Sequence, residues 1–227
     1  MIQNATWKLK DIFLVTFFTV IVTVLFYIST LALFGDHKWN FILSRYVWSI
    51  LMIASPIVWI KIKYGLSKQA LGMTVNNIDM MKYTAIGLTV AILYTLFHYY
   101  VFLKTGATSS KLIDKYSYLD LILMPISISG FASIVLAPIG EEIMVRGFWY
   151  GYLRTKLGSV IGIILQALFF SFLHYNIFRG NLNSVSQTFI IGLLLGTLYE
   201  KSRSLYPSII SHGIINYLII IVTVIRK

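Results

Sequence analysis

Seven runs of nearly uninterrupted apolar residues govern what this chain can fold into: roughly 12–34, 41–62, 79–103, 119–155, 158–176, 186–200 and 205–225. A helix needs about 20 apolar residues to cross the hydrocarbon core of a bilayer. Lipid offers no partner to backbone N–H and C=O groups, so only helices and closed barrels can span it. The sixth run is short and the fourth overlong, which sets the expectation at about seven spans, six to eight. The predicted fold is therefore all-α, a polytopic transmembrane helix bundle. Uniform apolarity masks the helical period, so the runs do not mark where each helix ends.

Composition argues the same way. Only 12% of the 227 residues are charged, about half the share in a soluble domain, so lipid must serve as part of the solvent. The net charge of +11 falls mostly in short loops, where Lys and Arg hold topology against anionic lipid. No basic stripe interleaved with aromatics occurs in a polar domain, which excludes nucleic acid as a partner. The lack of cysteine removes disulfides, thiolate metal ligands and a Cys nucleophile.

The run after Lys8 and Lys10 is too long for a signal-peptide core and has no small-x-small cleavage pattern, so it reads as a retained first span. Polar stretches at 63–77 and 104–120 are the only linkers of note, and neither a repeat nor a separate soluble domain is visible. The chain divides into N-terminal transmembrane helices (1–118) and a helical core (119–227) within one integral membrane domain. With a cytoplasmic N-terminus, the inner side collects Lys8, Lys10, Lys61, Lys63, Lys68, Lys82, Arg154, Lys156, Lys201 and Arg203; Arg45 is among the cations assigned to the outer side. The resulting positive-inside bias is small. Gly192 and Gly196 form a small-xxx-small pair that would let a neighbouring backbone approach, although glycines are also simply common in membrane helices.

The informative residues are the polar ones inside the apolar runs. An ionisable group at the bilayer centre costs about 2.5–3.5 kcal/mol on insertion scales, so such groups pair, face a cavity and serve a function. In "APIGEEIMVRG" (137–147), Glu142 and Arg146 stand four apart and share a helix face, which predicts a structural ion pair. Glu141 lies about 100° around the helix and should find another partner, which marks it as functional. His174 ends "FFSFLH", on one face with Phe170. His212 and Asn216, in "SHGIIN", share a face of the last span. Singly, each of these reads as packing or interhelical hydrogen bonding.

Their depths agree, however. A turn near Leu157 and Gly158 would fold the fourth and fifth runs into an antiparallel hairpin. Glu141 lies 16 residues before Leu157 and His174 lies 16 after Gly158, so carboxylate and imidazole should meet across it. His212 sits about 8 residues, ~12 Å of helix, from the nearest loop, so the last span can reach the same level. The stretch 175–183 would then partly line a cavity, and Pro138 and Gly140 would loosen the helix and open it. Three chemistries suit a Glu, two His and an Asn converging there. One is a carboxylate base activating water with a His–Asn pair at the oxyanion. The second is a metal site with Glu and two His ligands. The third is a proton relay in a transporter, which should show paired repeats or interrupted helices; neither is visible.

In this order and spacing, Glu141-Glu142-x-x-x-Arg146, Phe170-x-x-x-His174 and His212-x-x-x-Asn216 resemble the CPBP family. These are the CAAX protease and bacteriocin-processing (Abi) intramembrane endopeptidases. The resemblance covers about residues 120–220; Gly147 and "LYPSIISHGIIN" fit it, and Val145 departs from it where an aromatic often precedes the arginine. It implies a protease whose core lies in the last four spans. It also implies Glu141 as general base, His174 as the residue orienting the water, His212 and Asn216 as the oxyanion hole, and Glu142 with Arg146 as the buttress. It implies metal-free catalysis; the alternative is zinc held by Glu141, His174 and His212. The substrate would be a membrane-associated peptide or protein, in peptide processing or bacteriocin self-immunity, and the compact size fits a member in a bacterial cell membrane. The alternative role is a non-proteolytic immunity or scaffold protein.

Overall fold

The structure is a computed structural model that describes residues 5–35, 38–75, 77–105, 127–174 and 182–225. Among the described residues six long helices follow one another: α1 (Leu9–Phe34), α2 (Lys38–Tyr64), α3 (Asn77–Thr105), α4 (Ile128–Leu173), α5 (Leu182–Ser202) and α6 (Leu205–Ile225). Among the described residues α1, α2, α3, α4 and α6 are long and apolar enough to cross a membrane. The protein is an integral membrane helix bundle. Its large apolar side chains turned outward, such as Phe17, Leu33, Leu93, Val160 and Phe172, are what a lipid-facing surface requires.

α4 takes in the expected fourth and fifth runs, and it is two helices. At Gly158 the backbone leaves helical geometry (φ 82°, ψ 171°), a conformation that glycine adopts without steric cost. The chain folds back there, since a Cβ on Gly162 would lie 3.0 Å from the Tyr150 ring and 3.1 Å from the Arg154 nitrogen. The hairpin read from the sequence is therefore present, with arms 128–157 and 159–173. The expected beginning of this span (119–126) and most of the expected linker (106–120) lie outside the described residues, as does 175–181 of the expected cavity-lining stretch.

α5 matches the expected sixth run but is not among the helices apolar enough to span. It carries Ser186, Gln187, Thr188, Thr197, Glu200 and Lys201. It packs on the second arm of α4 and on α6 and α3. The glycine pair lies in that seam: a Cβ on Gly192 would stand 2.9 Å from Ala167, and Gln166 Nε2 donates to Gly192 O at 2.8 Å. The close approach is real at both glycines, since a Cβ on Gly196 would collide with the Gln166 side chain.

Helix ends gather at one basic end of the bundle. Trp7 donates to Phe148 O (3.0 Å) and stacks on its ring. Lys63 and Tyr64 both bond Asp11. Glu200 takes Tyr150, Arg154 and Arg203, and Leu205 N donates to Gly72 O (2.9 Å). A buried apolar cluster of Ile12, Met52, Ile60, Leu71, Met144 and Phe148 underlies that end. A second, of Ala91, Tyr94, Val145, Phe170, Leu195 and Ile215, packs behind the polar residues of the bundle interior. Val145, the departure from the family pattern, is a packing residue in it.

Candidate active site

The first arm of α4 is irregular where the polar residues sit. Ala132–Leu136 and Glu142–Tyr150 are π-helical, with Ala137–Glu141 as an α-helical turn between them. Such bulges are rare and frequent at functional sites. Pro138 explains the first one. The Ala137 N–H bonds Ala132 O, five residues back, bypassing Ser133 O. The next donor in line would be Pro138, which has no N–H. Ser133 O is thus left for a side chain, and Asn216 Nδ2 donates to it at 3.0 Å. Gly213 lets α6 come this near, because a Cβ there would fall 2.7 Å from Ile134 O.

Gly140 plays a different part from the expected one. A Cβ on it would stand 2.8 Å from Ser49 O and 3.0 Å from Met52 Cβ, so it seats α4 against α2 instead of opening a cavity. The freed backbone carbonyl traces to Pro138 alone.

The expected residues converge. Across the hairpin, His174 Nε2 lies 3.8 Å from Glu141 Oε2, and from α6 His212 Nε2 lies 3.7 Å from the same oxygen. Both are too long for direct hydrogen bonds. His174 Nδ1 is 2.8 Å from Phe170 O; a carbonyl only accepts, so Nδ1 carries a proton, and Nε2 is the ring atom that faces Glu141. Arg146 Nη1 stands 3.1 Å from Glu142 Oε1 with both side chains fully buried. The guanidinium lies over the Phe170 ring, Cζ 4.3 Å from its centroid. The geometry falls outside that of a hydrogen bond, so the pair is held by charge and stacking.

One expectation is corrected. Glu142 meets Arg146 and Glu141 meets His174 as expected, but the two carboxylates are not independent, because His212 stands between them: its Nδ1 is 2.9 Å from Glu142 Oε1 while its Nε2 faces Glu141. Both residues keep α-helical dihedrals, so it is the two nitrogens of one imidazole that span the angle between them. Side-chain exposure still divides the two roles: 14% at Glu141 and 18% at His174 against 4% at His212 and none at Glu142.

Arg45 was missed. It was grouped with the loop cations, yet it stands inside α2, partly buried and near enough to Glu141 for their charges to interact. Its position within an apolar run was the available signal. Among the described residues no three His, Asp or Glu side chains are arranged to hold a metal ion.

These features define a class of protein: a multi-span helical membrane protein with a buried carboxylate–imidazole site between α4 and α6. Residues 123–218 match the family model described as Type II CAAX prenyl endopeptidase Rce1-like, the CAAX-protease family that the motifs resemble; all six site residues fall inside the match. No curated protein and no solved structure matches the chain.

Proposed function

We propose that the protein hydrolyses a peptide bond of a membrane-associated peptide or protein with water activated by Glu141 and His174. The observation that carries this is the meeting of Glu141 Oε2 with two imidazole Nε2 atoms at 3.8 and 3.7 Å. Glu141 Oε2 accepts hydrogen bonds, and it faces both Nε2 atoms at distances too long for direct ones, so the gap calls for a bridging molecule. Water is the molecule that a hydrolase needs there.

The steps follow from the geometry. Glu141 takes a proton from the water while the His174 lone pair orients the other O–H. The resulting hydroxide adds to the substrate carbonyl carbon. The oxyanion faces Asn216, whose second Nδ2 hydrogen is not used by Ser133, and His212, when its Nε2 carries a proton. Glu142 would stabilise that doubly protonated imidazole through Nδ1, as a carboxylate orients a catalytic histidine elsewhere. The C–N bond then breaks and Glu141 returns its proton to the leaving amine. Overall, water adds OH to carbon and H to nitrogen.

The site is read as metal-free, as the resemblance implies; engagement of His212 Nδ1 by Glu142 and of His174 Nδ1 by Phe170 O leaves both Nε2 atoms toward Glu141, an arrangement that suits a bound water or a metal alike. Zinc on Glu141, His174 and His212 is the alternative. By the positive-inside rule the basic end faces the cytoplasm. Peptide processing or bacteriocin self-immunity in a bacterial membrane is the biological role we assign, and a non-catalytic scaffold is the competing one.

The test uses the full chain in proteoliposomes with a prenylated peptide carrying a CAAX tail. Glu141→Gln and His174→Ala should each abolish cleavage while eluting as the native protein does. Full activity in either variant overturns the mechanism, and inactivity of the native chain on this and on unprenylated peptides favours the scaffold. Activity should persist in chelator; loss restored by zinc replaces the metal-free reading.

A further inference from the structure

α3, α5 and α6 enclose a second feature that the proposed reaction does not use. A groove of about 230 Å³ runs between them, lined by Gly87, Val90, Leu194, Leu198, Ser211 and Ile215 among others and almost wholly apolar. At one end its wall is Tyr83 and Lys201, and Lys82 lies against that tyrosine, Nζ 5.5 Å from the ring centroid. Lys201 is exposed and makes no ion pair among the described residues. α3 begins, α5 ends and α6 begins at this level, which is where headgroups meet a helix bundle. From Lys201 to Leu193 along α5 is ~12 Å at 1.5 Å per residue, so the groove has a cationic mouth and an apolar body the length of part of one acyl chain.

We propose that this groove binds an anionic phospholipid of the surrounding bilayer, its phosphate at Lys201 and Lys82 and one acyl chain laid along Val90, Leu194 and Ile215. A substrate chain fits less well. Ser211 and Ile215 face the groove, whereas His212 and Asn216, each one position on and about 100° around, face the site. A peptide held at Glu141 would have to wrap around α6 to enter. The lipid would instead press on the back of the helix that carries two site residues.

The experiment is native mass spectrometry of the full chain released from micelles containing equal phosphatidylglycerol and phosphatidylcholine. Phosphatidylglycerol should be retained preferentially, with about fivefold for each lysine, the effect expected of a cation near an anionic headgroup. Lys82→Glu with Lys201→Glu, both at exposed positions, should erase the preference. Leu194→Trp should fill the groove and lower phosphatidylglycerol retention several-fold. Equal retention of the two lipids by the native chain overturns the proposal. So does an unchanged preference in the lysine variant, which needs no repacking to fold.

Discussion

Arg146→Met tests the electrostatic frame of the site. Arg146 and Glu142 are both fully buried, 3.1 Å apart, and His212 Nδ1 lies 2.9 Å from the same Glu142 Oε1. Removing the arginine leaves the fully buried Glu142 carboxylate beside Glu141 without its guanidinium partner. Breaking a buried ion pair from one side costs about 3–5 kcal/mol. Loss of the guanidinium over Phe170 adds up to about 2 kcal/mol, of which a methionine–aromatic contact restores about 0.3–1.5. At tenfold per about 1.4 kcal/mol, the ratio of folded to unfolded protein should drop by at least two orders of magnitude. Unfolding followed by tryptophan fluorescence in mixed micelles, titrated with denaturing detergent, reads this directly. Glu142→Gln in the Arg146→Met background should recover most of the loss, since removing both charges is often close to neutral. If the double variant is no more stable than Arg146→Met, the coupling energy is absent and the buttress assignment is wrong.

Two further predictions concern neighbours of that frame. Asn216→Ala should lower kcat by about 10²–10³ while KM changes little, as for loss of one oxyanion donor; activity within threefold of native would remove Asn216 from the oxyanion hole. Gly140→Ala should destabilise by about 1–3 kcal/mol through overpacking, because its Cβ would meet the Ser49 carbonyl at 2.8 Å, a backbone atom that cannot swing aside. An unchanged unfolding midpoint would show that α2 and α4 are not tightly seated there.

Much of the bundle was legible because lipid imposes a one-dimensional constraint. Span length and apolarity locate α1, α2, α3, both arms of α4 and α6, and Gly158 announces its own turn. Helical spacing pairs Glu142 with Arg146, and equal residue counts on either side of Gly158 bring Glu141 and His174 to one level. The π-helical turns were not legible. They arise where Pro138 withholds a donor and α6 supplies Asn216, and a sequence shows the proline but not the carbonyl it orphans. Arg45 was hidden for a related reason: within a span, which neighbour a cation faces depends on helix rotation.

The sequence by itself therefore determined the solvent, the all-helical class, the hairpin and the identity of the polar residues that must be sheltered from lipid. Only the tertiary structure decided how they are shared. His212 bridges Glu141 and Glu142, Asn216 answers Ser133, and Gly140 seats α4 on α2. These depend on the rotation of each helix about its axis and on contacts of a few ångströms between segments far apart in the chain. In uniformly apolar helices no local periodicity records that rotation, so packing alone sets it.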